Sequence, residues 1–225
     1  MPTLLLVRHG QASFGTADYD RLSELGHRQA EVVAQTLASR GTVVSRIVSG
    51  SLVRQRETAA PLAQALGLEP EIDAAWNEYD TDGILACHSG AGLRLEHGDD
   101  APAVSNEAFQ DVLDRALLDW VAAGETGPAP ETWTGFAARV GGALERLCRE
   151  LGPGETAVAC TSGGALAAAC SGLLESVSAF VPLQRVAVNA GITRVVSGRR
   201  GISLLSFNDH SHLEAAGGRG LVTFR

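Results

Sequence analysis

Apolar positions along this chain follow two alternating periods. Short apolar-rich runs at Thr3–Val7, Val43–Val48 and Thr156–Cys160 read as strands buried in a sheet. Between them the spacing becomes helical. Ser23 caps a helix whose face carries Leu25, Gln29, Val32, Val33, Thr36 and Leu37, and Gly41 ends it. A second helix runs from about Leu52 to Leu66 and stops at Gly67. Glu69 to Ala74 reads as a short extended segment, with Ile72 its one clear apolar point. Asn106 to Ala122 places Phe109, Val112, Leu113, Ala116, Leu117 and Trp120 on one helical stripe. Thr132 caps a further helix with Trp133, Phe136, Val140, Leu144, Leu147 and Leu151 on one face, stopped by Gly152-Pro153-Gly154. An Ala-rich helix follows Thr161-Ser162-Gly163-Gly164, and Pro182 limits any helix near Ser176. Ile192–Ser197 and Ile202–Phe207 flank Gly198-Arg199-Arg200-Gly201 and read as a hairpin.

Strands alternating with helices predict an α/β fold, a three-layer α/β/α sandwich whose mostly parallel sheet ends in an antiparallel edge. With 225 residues, 45% of them hydrophobic, the chain suits one domain. Residues 77–131 interrupt the pattern with frequent Gly, Asp, His and Pro. They read as a helical, cap-like insertion packed over an edge of the sheet.

Charge narrows the partners. The formal net charge is −8, which argues against nucleic acid and anionic membranes. All 18 basic residues other than histidine are arginine. A Walker-type loop lysine and Schiff-base chemistry are therefore excluded, and a phosphate site must use arginine, histidine and backbone N–H groups. Cys87, Cys148, Cys160 and Cys170 form no C-x-x-C pair and no metal-spaced cluster with histidine, so they read as packing residues. The N-terminus lacks a basic region and a long apolar stretch, and Ala165–Leu174 is too short to span a bilayer. These features point to a soluble cytoplasmic protein.

Candidate chemistry gathers at predicted strand ends. The first strand delivers Arg8-His9-Gly10 to its carboxyl end, where open α/β sheets bind ligands. The forked donors of Arg8 suit a phosphate dianion, and a neutral His9 can act as nucleophile. Arg54 lies in the first turn of the second helix, where the helix N-terminus also draws an anion. Glu78 follows the Ile72 segment, and Ser162-Gly163-Gly164 opens a helix with exposed amides. Taken singly, Arg54 and Glu78 read equally as solvated surface charges.

The order of these motifs resembles the histidine phosphatase superfamily, also called the phosphoglycerate mutase-like family. Leu4–Gly10 is similar to its opening R-H-G strand, and Leu22–Ala30 to its L-[ST]-x-x-G-x-x-Q-A helix start. Ser49–Ala59 resembles its [ST]-x-x-L-x-R-x-x-x-T-A segment, and Phe207–Leu213 its asparagine-to-His-Leu tail. The resemblance implies a phosphoglycerate mutase-like fold and a phosphomonoesterase acting on a small phosphorylated substrate, with no metal and no cofactor. His9 would become a phosphohistidine and Glu78 would be the acid and base. Arg8, Arg54, Ser162 and Gly163 would bind the phosphoryl group. A homodimer is compatible with the family. Two departures stand out. Ser162 occupies the place of the family's second histidine, and Gly15 that of a frequent asparagine. The first motivates one alternative, a weakened phosphate-ligand-binding member, and weighs against the other, a phosphoglycerate mutase, whose relatives retain both histidines. Acidity and the absence of lysine weigh against the mutase. His210 and His212 lie in the tail, where His212 reads as a packing residue; His27 and His88 read as surface residues, and His97 lies in the insertion.

Overall fold

The computed structural model describes residues 1–13, 20–88 and 106–224, apart from the side chains of 106–108. Gly15 and His97 lie outside the described residues. The elements run β1 (Thr3–Arg8), α1 (Glu24–Ser39), β2 (Val44–Ser49), α2 (Val53–Leu66), β3 (Pro70–Ile72), α3 (Thr81–Cys87), α4 (Asn106–Ala123) and α5 (Trp133–Glu150). They continue with β4 (Thr156–Thr161), α6 (Gly163–Leu173), α7 (Phe180–Val186), β5 (Ile192–Gly198), β6 (Gly201–Asp209) and α8 (Ser211–Gly217). The sheet order is β3-β2-β4-β1-β5-β6. Pairs among β1 to β4 are parallel, whereas β5 pairs antiparallel with both β1 and β6.

Alternation along the central strands divides the core. Leu5 and Val7 of β1 and Val158 and Cys160 of β4 face a cluster with Val33, Leu37, Leu62 and Leu213 from α1, α2 and α8. Leu4, Leu6, Ala157 and Ala159 face the opposite cluster, built on α5 and α6. Small side chains on β4 and in α6 let helix and sheet approach closely. Neighbouring β1 and β4 thus send their following helices, α1 and α6, to opposite faces of the sheet. Their carboxyl ends thus form a topological switch point, the place where doubly wound sheets bind ligands.

Three expectations change. The helix near Ser176 forms as a 3-10 turn, Val177–Ala179, leading into α7. Pro182 is tolerated as the third residue of α7, where its missing N–H has no intrahelical partner to lose. Residues 211–217 form α8, a helix the periodicity did not predict. Within 77–131, α4 packs chiefly on helices α3, α5 and α7 rather than over a sheet edge. Tyr79, Trp120, Trp133, Phe136 and Phe180 interlock there, with ring centroids 4.5–6.5 Å apart.

Candidate active site

The chain emerges from β1 pinned on several sides. The His9 amide donates to Thr161 O on β4 (2.8 Å), and the Ala190 amide reaches Arg8 O and His9 O (3.0 and 3.2 Å). Gly10 donates to Thr58 Oγ1 of α2 (3.0 Å). A Cβ at Gly10 would strike the Gly26 carbonyl of α1, so only glycine lets this loop pass.

His9 is buried, at 6% exposure. Its Nδ1 lies 2.7 Å from Gly10 O. A carbonyl only accepts, so Nδ1 carries the proton and Nε2 keeps its lone pair. Arg54 Nε donates to that lone pair at 3.2 Å. Burial first, then the charges of Arg54 and Arg8, hold the imidazole pKa well below its ordinary value. His9 is therefore neutral at physiological pH, in the tautomer a nucleophile needs.

The two arginines are oriented differently. Arg54 Nη1 pairs with Asp20 Oδ1 (2.7 Å), and the other oxygen of Asp20 caps α2 through the Val53 amide (2.8 Å). Arg8 Nη1 donates to the carbonyls of Ala187 and Phe224, the latter at 2.8 Å. A Cβ at Gly163 would lie 3.2 Å from Arg8 Nε, so Arg8 stacks over the start of α6.

Glu78 Oε2 accepts the Gly164 amide (2.9 Å), and Oε1 accepts that of Tyr79 (3.3 Å). The Gly164 amide, expected to face a bound anion, is thus already engaged. A Cβ at Gly164 would collide with the Glu78 carboxylate and the Tyr79 ring, which explains a glycine here. Burial raises the Glu78 pKa against the opposing pull of the Gly164 amide, Arg54 and Arg8.

Ser162, expected on the phosphoryl group, follows β4 at the start of α6. It is fully buried, and its Oγ accepts Gln55 Nε2 at 2.9 Å. Gln55 also donates to Trp76 O (2.9 Å) and accepts the Leu52 amide (3.2 Å). The site thus brings His9, Arg8, Arg54 and Glu78 together, with Gly163 beside Arg8 and the Ser162 hydroxyl engaged by Gln55.

Sequence reasoning missed Gln55, Asp20, Asn189 and Thr223. Gln55 left a signal, because it lies on the buried stripe of α2 with Thr58, Ala59 and Leu62. The tail motif finds its role here. Asn208, at φ 60°, accepts the Val188 amide (2.8 Å) and donates to Val186 O (2.7 Å). Buried His212 meets Ala190 O at 3.0 Å. Both pin the loop that contributes Ala187 O and Asn189 to the site. His27 is exposed as expected, whereas His88 is largely covered and pairs with Asp119 of α4 (2.7 Å). Among the described residues no cluster of potential metal ligands occurs, and no helix is long and apolar enough to cross a membrane.

Comparison with known proteins bears on the family and the fold. The family model for the histidine phosphatase superfamily (branch 1) matches residues 4–210. Among curated proteins, a PE-PGRS family protein of Mycobacterium tuberculosis is 37% identical over 79 residues, covering 32% of this chain and 13% of that protein. A probable phosphoglycerate mutase of Yersinia pestis is 34% identical over 91 residues, covering 38% and 41% respectively. The chain spans less than half the length of either relative. Among solved structures, a phosphoserine phosphatase variant from Entamoeba histolytica bound to phosphoserine superposes with a TM-score of 0.69. It is 20% identical and covers 95% of this chain and 100% of that one. A mycobacterial glucosyl-3-phosphoglycerate phosphatase gives a TM-score of 0.64 at 23% identity, covering 92% and 98%. At these identities the structures establish the shared fold.

Proposed function

Because this chain belongs to branch 1 of the histidine phosphatase superfamily, we propose that it hydrolyses small phosphomonoesters through a phosphohistidine at His9. The observation that carries this reading is the neutral imidazole of His9, its Nε2 lone pair held 3.2 Å from the Arg54 guanidinium. Nε2 attacks phosphorus, an N–P bond forms, and the bond to the leaving oxygen breaks. Arg54 and Arg8 balance the charge spread over the transferring oxygens. Glu78, its carboxyl kept protonated to a higher pH by burial, gives its proton to the leaving oxygen. The resulting carboxylate then takes a proton from water, which attacks phosphorus, breaks the N–P bond and releases phosphate. Guanidinium charge fills the role a metal would otherwise play.

We read residues 77–131 as the cap that selects the substrate. Glu78 and Tyr79 lie at its base, and Asp114 of α4 pairs with Arg185 of α7 (2.9 Å). Acidity disfavours nucleic acid as a partner. Buried free thiols at Cys148, Cys160 and Cys170 suit the reducing cytoplasm.

The test is release of inorganic phosphate from a panel of phosphorylated metabolites, with His9→Ala as control. Transfer between the carbons of phosphoglycerate, without release, would instead support a mutase.

A further inference from the structure

Behind His9 a single directed chain of hydrogen bonds closes on the catalytic loop from both sides. The Gln11 amide donates to Gln29 Oε1 (2.7 Å). Gln29 Nε2 donates to Thr223 Oγ1 (2.9 Å) and to Leu221 O (2.9 Å). Thr223 Oγ1 donates to Asn189 Oδ1 (3.0 Å), and Asn189 Nδ2 donates to His9 O (3.2 Å). Every direction is fixed by chemistry. The Gln11 amide only donates, and the Leu221 and His9 carbonyls only accept, so neither carboxamide can be flipped. At Thr223 a single atom, Oγ1, both accepts and donates, which a hydroxyl can do and a methyl cannot. Gln29 and Asn189 are fully buried, so an interruption leaves polar atoms without water to replace the lost partner.

The same segment reaches the phosphate-binding side. Thr223 O accepts the Asn189 amide (2.8 Å), and the next carbonyl, Phe224 O, accepts Arg8 Nη1 (2.8 Å). One short stretch, 221–224, therefore bears on both the His9–Gln11 loop and the Arg8 guanidinium.

We propose that Thr223, with Gln29 and Asn189, is a positioning residue for the reaction at His9, its hydroxyl holding the His9–Gln11 loop in register with Arg8. The proposal rests on the phosphohistidine reading for its kinetic consequence, but not for its structural one. Phe224 acts through its carbonyl alone, and its side chain is exposed.

Three variants test it: Thr223→Val, which keeps the shape and removes the hydroxyl, Thr223→Ser, which restores it, and Leu205→Ala, at an exposed position on β6. Thr223→Val should lower kcat on p-nitrophenyl phosphate about tenfold, as expected for a small displacement of reacting groups. Thr223→Ser should recover to within about threefold of the parent, and Leu205→Ala should equal the parent. Amide hydrogen exchange at Gly10 and Gln11 should accelerate about tenfold in Thr223→Val alone, whether or not the protein turns over. A parent that hydrolyses nothing, with this exchange pattern intact, overturns the phosphatase reading and leaves the positioning role standing. Thr223→Val with parental kcat and parental exchange at Gly10 and Gln11 overturns the proposal. So does equal loss in Thr223→Val and Thr223→Ser.

Discussion

The His9–Gln11 loop and the α3–α4 region are both buried against the same fold, yet they are fixed by opposite means. The loop is held by directional bonds from β4, α2, the α7–β5 connection and residues 221–224. Among the described residues, the α3–α4 region is centred on ring packing around Trp120 and Phe180, and its polar links, Asp114 to Arg185, His88 to Asp119 and Trp120 Nε1 to Glu131 O, lie around that packing. Directional bonds define one geometry, which phosphoryl transfer requires. Apolar packing tolerates volume-conserving change, which suits a region that distinguishes substrates.

The largest effect that sharpens this contrast is His9→Ala. Loss of the covalent route should lower kcat roughly 10³-fold or more, with the melting temperature little changed. Parental turnover in that variant would break the comparison at its root. Trp120→Ala should do the reverse. Removing a large buried ring, whose Nε1 also donates to Glu131 O (2.8 Å), should cost about 3–5 kcal/mol in urea unfolding. Turnover per folded molecule should change far less.

Glu78→Gln comes next. Turnover of alkyl phosphates should fall about 10²-fold, and that of aryl phosphates only a few-fold, since aryl leaving groups need little protonation. The pH profile adds a sign. His9 works deprotonated, so activity on alkyl phosphates falls as pH drops through its lowered pKa. Glu78 works protonated, so activity falls as pH rises through its raised pKa. The two limbs bracket an optimum, and Glu78→Gln should remove only the alkaline limb.

The smallest effect is expected at Ser162. Its hydroxyl accepts from Gln55, so Ser162→Ala should cost about 1 kcal/mol of stability and leave kcat/KM within about threefold. A loss of turnover in Ser162→Ala comparable to His9→Ala would show that the hydroxyl reaches the substrate.

Legibility in the sequence follows the same divide. The Leu4–Val7 run and the first turn of α2 placed His9, Arg8 and Arg54 at strand and helix ends, because local periodicity determines where such elements stop. Glu78 was legible by its position after a short strand. The supports of the loop were not, because Asn189 lies 180 positions from His9 and Thr223 lies 194 from Gln29. A buried glutamine reads as an ordinary polar residue until the fold supplies its partners. Ser162 hid its bond partner for a related reason. Its neighbours along the chain put it at a strand end, while its side chain is claimed by Gln55, 107 positions away. α8 was hidden by its length of seven residues and by His210, which caps it without a side-chain bond.

The central claim is that His9 Nε2 carries the phosphoryl group during turnover. Rapid mixing with a phosphorylated substrate, a denaturing quench under alkali and peptide mapping test it directly. The account predicts one acid-labile, alkali-stable phosphoryl group on the peptide containing His9, lost in His9→Ala and accumulating when water attack is slowed in Glu78→Gln. A phosphoryl group on any other residue, or phosphate release with no labelled His9 at any time, would contradict it.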